Sequence, residues 1–308
     1  MHEQVQRLIK NIESVFVGKP DAVQACVAGL IAGGHILIED VPGIGKTLLA
    51  KALARSIDAE FSRIQFTPDM LPSDITGGFI YNQKTGDFDL VKGPVFTNIL
   101  LADEINRTTP RTQSALLEAM EERQVSVEGE THPLPGLFFV IATQNPIELQ
   151  GVYPLPEAQL DRFLMRISIG YPETADELRI VDMHSADRPL DRLKPVLKMA
   201  DLLELQREAA ALHIDPDLKA YAVAIVKRTR EDGTILLGAS PRATLALVNA
   251  SRATAFVRGL DFVPPGIVKE TALKVLNHRI QLTPQARLSG TAPAKVIGRI
   301  LEEVKVPE

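Results

Sequence analysis

The chain has no tryptophan, four tyrosines and a single cysteine among its 308 residues. One cysteine cannot close an intramolecular disulfide, so nothing in the composition points to an oxidising compartment, and Cys26 reads as a small buried apolar residue. There is no excess of positive charge: 34 lysines and arginines against 39 aspartates and glutamates leave a formal net charge of −5. That balance argues against a surface that holds a nucleic-acid backbone by charge alone. Long hydrophobic runs are also missing. The longest, ACVAGLIAGGHILI at 25–38, is broken by Gly33, Gly34 and His35 and falls short of the roughly 20 residues needed to cross a bilayer. The N-terminal stretch MHEQVQRLIKNIE carries charges throughout and lacks the apolar centre of a signal peptide. These absences give the expectation of a cytoplasmic protein without membrane insertion. What is present is an ordinary globular composition, 45% hydrophobic and 24% charged, at a length that suggests about two domains.

From about residue 20 to 170 short apolar runs alternate with helical periodicity. HILIED, FSRIQF, NILLADE and LFFVIAT are rich in Ile, Leu, Val and Phe, as strands buried on both faces of a parallel sheet must be. Between them, KTLLAKALARSI and RTQSALLEAMEER place apolar residues at three- and four-residue spacing. The alternation predicts βαβ units and an α/β core. GGFIYNQKTGDFDLVKGPVF and RQVSVEGETHPL do not fit it; their turn residues, Lys84 to Asp87 and Glu128 to Glu130, predict hairpins inserted into the core. A proline-containing link at 186–196 leads to largely helical patterns. The expected division is an α/β core over 1–190 and an all-helical domain over 191–308.

HILIEDVPGIGKTLLAKALA ends as a phosphate-binding loop ends, with Gly45, Lys46 and Thr47, yet Asp40 stands where the pattern G-x-x-x-x-G-K-[ST] asks for its first glycine. In such a loop the backbone N–H groups of Gly43, Ile44, Gly45, Lys46, Thr47 and Leu48 point at the β-phosphate, Lys46 reaches the β- and γ-phosphates, and Thr47 ligates Mg²⁺. None of these tasks belongs to Asp40, which lets the chain leave the strand; Val41 and Pro42 continue the expected cofactor-binding loop. Aspartate is among the few residues besides glycine that tolerate unusual backbone angles and bond their own loop, so the departure is expected to touch loop shape alone.

Fifty-seven residues after Lys46, NILLADEINR ends in Asp103 and Glu104. An acid at a strand tip can hold Mg²⁺ and its neighbour can polarise an attacking water; taken alone, the pair would also suit a solvated turn. Asn145 ends the apolar run FFVIATQN, placed to orient water beside a γ-phosphate or simply to form an Asn-Pro turn. Arg162 in EAQLDRF and Arg242 in GASPRATLAL sit at helix starts, from which a guanidinium could project toward phosphate oxygens or pair with a surface carboxylate such as Glu157.

Together, EDVPGIGKT, LLADEINR, IATQNP, EAQLDRF and GASPRA resemble the MoxR branch of the AAA+ ATPases over nearly the whole chain. The resemblance implies ATP and Mg²⁺ as cofactors, with residues 40 to 47 as Walker A, Asp103 and Glu104 as Walker B, Asn145 as sensor 1, Arg162 as the arginine finger and Arg242 as sensor 2. Val17 and Gly18 in VFVGKP become adenine contacts, and the C-terminal helices become the lid. The two hairpins resemble the helix-2 insert and pre-sensor-1 hairpin of the clade that holds magnesium chelatase motor subunits and MCM helicases. A finger acts on a neighbour's nucleotide, so the resemblance further implies a homo-oligomeric ring, most often a hexamer, in which Arg107 and Arg111 are competing fingers. Its function would be to remodel, assemble or activate partner proteins, including by metal or cofactor insertion, with a von Willebrand factor A domain protein as partner. Two rivals stay open: a DNA-acting motor of the MCM type, disfavoured by the acidic balance and by hairpins poor in basic residues, and an ATP-dependent oligomerisation switch without turnover, disfavoured by Glu104.

Overall fold

The computed structural model describes residues 3–146, 151–186 and 189–307. Helices α1 (Glu3–Glu13) and α2 (Pro20–Ile31) precede the first strand. The α/β part then runs β1 (His35–Glu39), α3 (Lys46–Ser56), β2 (Phe61–Gln65), α4 (Ser73–Thr76), the hairpin β3 (Gly77–Asn82) and β4 (Asp87–Lys92), and β5 (Ile99–Asp103). It continues with α5 (Pro110–Glu122), the hairpin β6 (Gln124–Val127) and β7 (Glu130–Pro133), β8 (Phe139–Gln144), α6 (Glu157–Leu160), β9 (Phe163–Ile167) and α7 (Thr174–Ala186).

Five of the strands form one parallel sheet in the order β2-β5-β8-β1-β9. Successive side chains on a strand face opposite sides, and here both sides are covered. Ile36 and Ile38 join the core formed with α1, α2 and α3, whereas Leu37 between them joins the core on the α5 side. Ile99 and Leu101 divide from Leu100 and Ala102 in the same way. Four of these strands are the apolar runs of the sequence. The fifth, β9, is not among them; its fourth residue, Arg166, forms an ion pair of 2.8 Å with Glu39 on the neighbouring strand. Both expected hairpins are present outside the sheet.

The expected link at 186–196 lies partly outside the described residues, at 187–188. Beyond it come α8 (Met199–Ala211), α9 (Pro216–Glu231), β10 (Ile235–Leu237), α10 (Pro241–Val257), α11 (Pro265–Leu276), β11 (Gln281–Leu282), α12 (Pro284–Leu288) and α13 (Pro293–Glu303). Helices α2, α5 and α9 to α13 each begin with proline, whose fixed φ and missing N–H suit a first turn. This region is not all-helical: β10 and β11 pair antiparallel, joining the segments that follow α9 and α11. Leu247 and Ala250 of α10 and Val268 of α11 share one continuous core with α2 and β1, so the C-terminal helices are packed onto the α/β part.

His35 fixes the start of β1. Its Nδ1 accepts from the N–H of Val140 at 3.0 Å, which leaves Nε2 to donate to the carbonyl of Met120 at 3.1 Å. Burial pushes this imidazole down to about 4 despite the Met120 bond, and the charge of Arg123 adds to the depression. The folded protein therefore keeps His35 neutral while the unfolded chain protonates near 6.5, so this contribution to stability is full above that pH and is lost as pH falls toward 4. Between pH 7 and pH 5 the wild type should lose roughly 2 kcal/mol more than a His35→Gln variant, read from chemical denaturation at the two pH values; equal losses would contradict the assignment.

Candidate active site

Where β1 ends, the chain must turn sharply into α3. Gly43 and Gly45 make the turn with φ of 86° and 87°, a region that side chains with a Cβ avoid. Gly45 is the N-cap of α3, and a Cβ on it would meet the Phe16 ring at 3.0 Å. The first turn of α3 holds no acidic residue, so its N–H groups and positive dipole end are available to an anion.

Asp40 is not left-handed; it bonds its own loop as expected, but the expectation that it touches loop shape alone is corrected, because it also binds the segment after β9. Its Oδ1 accepts from the Val41 N–H at 2.9 Å, and its Oδ2 accepts from Ser168 Oγ, the Ile169 N–H and the Gly170 N–H at 2.8, 2.7 and 2.7 Å. Burial pushes this carboxyl up, but these bonds outweigh it and hold it below the ordinary carboxylate range. A glycine could not tie the loop to the segment after β9 in this way. The Asp40 carbonyl meanwhile accepts from Lys46 Nζ at 2.5 Å. Burial lowers the Lys46 pKa, opposed by the charges of Asp40, Asp103 and Glu104.

The loop separates two cavities whose walls both include Gly43 and Gly45. One, of about 210 Å³, is lined by Phe16, Val17, Ile44, Leu48, Ile169 and Met183 among others. The other, of about 270 Å³, is lined by Pro42, Lys46, Thr47, Asp103, Glu104 and Asn145 among others. An apolar slot on one side and a polar chamber on the other match the two ends of a nucleotide. Gly18 turns with φ of 85° and packs against Asp176, where a Cβ would come within 2.6 Å of Oδ2.

Within the polar chamber, the Thr143 hydroxyl donates to Asp103 Oδ1 at 2.6 Å and accepts from the Glu104 N–H at 2.8 Å. Arg63 Nη2 donates to Asp103 Oδ2 at 2.7 Å. Glu104 Oε2 accepts from Gln65 Nε2 at 2.6 Å and pairs with Arg107 Nε at 3.1 Å. Glu104 is itself left-handed, with φ of 58°, and such outliers concentrate at functional sites. The Asp103 carboxylate already holds one cation, the Arg63 guanidinium, and with the Thr47 hydroxyl it offers oxygen ligands that suit Mg²⁺. Among the described residues no group of three or more His, Cys, Asp or Glu could hold a metal.

Arg162 and Arg242 are not in this chamber. Both bind Glu121 near the end of α5, Arg162 Nε to Oε2 at 2.9 Å and Arg242 Nη2 to Oε1 at 2.8 Å; the partner of Arg162 is thus Glu121 and not Glu157. Arg162 immediately precedes Phe163, whose register partner is His35, and His35 is bonded to Met120, the residue before Glu121. The two arginines therefore stand at the edge of the sheet where β1 starts, while the phosphate loop stands where β1 ends, about 16 Å of strand away. Arg107, through Glu104, belongs to the chamber, and Arg111 is exposed on α5.

Sequence reasoning missed Arg63, Gln65 and Thr143. Each signals itself by period-2 alternation: Arg63 and Gln65 are polar neighbours on one face of β2, and Thr143 shares a face of β8 with the Asn145 position.

Residues 35–165 match the model of the ATPase family associated with various cellular activities (AAA), and residues 227–300 match that of the AAA lid domain. The chain is 48% identical over 307 residues to the uncharacterized protein YeaC of Bacillus subtilis, covering 100% of this chain and 96% of that one. It is 45% identical over 313 residues to the chaperone MoxR1 of Mycobacterium tuberculosis, covering 99% of this chain and 82% of that one. A crystal structure of a proposed ATPase from Cytophaga hutchinsonii superposes with a TM-score of 0.92 at 41% identity, covering 99% and 95% of the two chains. With the loop, the acidic pair and the lid in this order, the chain belongs to the MoxR family of AAA+ ATPases.

Proposed function

We propose that this chain binds ATP at the 40–48 loop and hydrolyses it in a ring, most simply a hexamer, in which each site is completed by the neighbouring subunit. The turnover cycle serves to remodel or activate a partner protein, including by metal or cofactor insertion, and a partner with a von Willebrand factor A domain suits the family. The observation that carries this reading is the placement of Arg162 and Arg242 at the strand-start edge, away from their own phosphate loop. Two partly exposed arginines on one carboxylate have no local phosphate to serve, but a neighbour's site facing that edge would receive both.

In this scheme the adenine enters the apolar slot beside Val17, and the phosphates enter the polar chamber. Lys46 leaves the Asp40 carbonyl to contact the β- and γ-phosphates. Thr47 and Asp103 would hold Mg²⁺, which would supply neutralising charge to the phosphate oxygens. Asn145 orients the attacking water, and Glu104 takes its proton. For Glu104 to act, its carboxylate must turn from Gln65 and Arg107 toward that water. The neighbour's Arg162 and Arg242 stabilise the charge that develops on the transferred group. We assign 1–190 to the core and 191–308 to the lid, in keeping with the break in pattern at 186–196. The β3–β4 hairpin exposes Ile80, Tyr81, Phe88 and Val91 beside Asp87 and Asp89, a surface suited to a polypeptide client and poorly suited to a phosphate backbone.

Lys46→Ala should weaken ATP binding while leaving the thermal midpoint nearly unchanged, because a loop lysine adds little to the core; unchanged nucleotide affinity by calorimetry would contradict its role. Glu104→Gln should bind ATP as the wild type does yet hydrolyse it roughly 10²- to 10⁴-fold more slowly, the range a positioned base contributes. Turnover within a factor of about three of wild type would transfer that role to another residue.

A further inference from the structure

Arg279, which follows α11, has a side chain only 2% exposed, yet it carries a full charge. Burying a guanidinium is costly unless its donors are satisfied. Here its Nε donates to Asp161 Oδ1 at 2.6 Å, Nη2 to the carbonyls of Asp161 and Phe163 at 3.0 and 2.6 Å, and Nη1 to the carbonyls of Leu164 and Val275 at 3.0 and 2.5 Å. Two of these five bonds go to Asp161, beside Arg162 in the turn, and two to the first residues of β9 that follow it. The other oxygen of Asp161, Oδ2, accepts from Ser240 Oγ at 3.0 Å. Ser240 is the N-cap of α10 and accepts from the Ala243 N–H, so it sets the first turn of the helix that carries Arg242.

The contacts close into a circuit. Asp161 is the chain neighbour of Arg162, Ser240 stands two residues before Arg242, and the two arginines meet again on Glu121. One arginine belongs to the α/β part and the other to the C-terminal helices; the Ser240–Asp161 hydrogen bond ties their anchoring turns, and the buried ion pair with Arg279 holds Asp161 in place to accept it. A plain staple between domains would not need to fasten at these two turns.

We propose that Asp161, Ser240 and Arg279 form a clamp that holds Arg162 and Arg242 as a single two-pronged unit, and are thereby positioning residues for ATP hydrolysis. This rests on the reading that the two arginines complete a neighbour's site. The clamp contributes no group to the phosphates. It fixes the spacing at which both guanidiniums approach them, and displacement by an ångström at such a site costs as much as about 10²-fold in rate.

The test is steady-state ATP hydrolysis together with the affinity of a fluorescent ATP analogue, for Ser240→Ala, Ser240→Thr and Asp161→Asn, each alone and combined with Arg162→Ala plus Arg242→Ala. Ser240→Ala should lower kcat roughly 10-fold and Asp161→Asn roughly 10²-fold, with analogue affinity held within a factor of about two, and Ser240→Thr, which keeps the hydroxyl, should restore turnover. In the background lacking both arginines the clamp substitutions should lower the residual rate no further, since residues that act as a unit are not additive. Unchanged kcat for Ser240→Ala and Asp161→Asn, or the same fold-loss in the background without arginines, would overturn the clamp. Should Asp161→Asn fail to fold, as a melting curve would reveal, Ser240→Ala and its threonine rescue decide the matter. If Arg162→Ala and Arg242→Ala themselves leave kcat intact, the cross-boundary reading fails and the clamp falls with it, an outcome distinct from silent clamp variants beside inactive arginine variants.

Discussion

The parallel pairing of β1 with β8 on one side and β9 on the other is the constraint from which the rest of the molecule follows. Parallel strands all finish at the same edge of a sheet, and ligands of open α/β folds bind beyond that edge. Glu39 pairs with Gln144 and Gln65 with Asp103 in register, so the residues that follow these strand ends, among them Asp40, Glu104 and Asn145, come together although more than 100 residues separate the first from the last. The same pairing fixes what lies at the opposite edge. Phe163 opposite His35 means that Arg162, just before its strand, stands at the edge away from the phosphate loop. The separation of Arg162 from the phosphate loop is thus a consequence of strand direction and not of a loop that could swing.

Asp40 illustrates how one side chain can connect distant parts of such a site. Its carboxylate gathers N–H and O–H donors from the loop itself and from 168–170, and Gly170 lines the apolar slot along with Ile169. The wall of the base cavity and the phosphate loop are therefore held at a common point, and the Lys46 ammonium rests on the carbonyl of the same residue. In the polar chamber each acid is likewise held: Asp103 by Thr143 and Arg63, Glu104 by Gln65 and Arg107. These partners fix the geometry of both acids.

Much of this was legible in the sequence because it is local. Fully buried parallel strands must be apolar along their whole length, which exposed β1, β5 and β8; three- and four-residue apolar spacing exposed α3 and α5; Gly45, Lys46 and Thr47 marked the loop. The features that sequence concealed are those that depend on partners far along the chain. β9 hides its identity behind Arg166, whose charge is balanced by Glu39 only once the strands are paired. Arg279 reads as one arginine among many, and its burial follows from Asp161, 118 residues earlier. Asp40 looked like a glycine substitute because the donors that define its role lie at 168–170. The short β10–β11 pair carries too few residues to show a strand period at all.

The central claim is that catalysis at each loop requires arginines from a second copy of the chain. It is tested most directly by mixing Arg162→Ala subunits with Lys46→Ala subunits and measuring ATP hydrolysis, with assembly verified by light scattering. Neither parent should turn over. In mixed rings some interfaces pair an intact loop from the first with an intact Arg162 from the second, and the account predicts that activity partly returns there. Mixed rings that assemble fully and stay as inactive as either parent would contradict it.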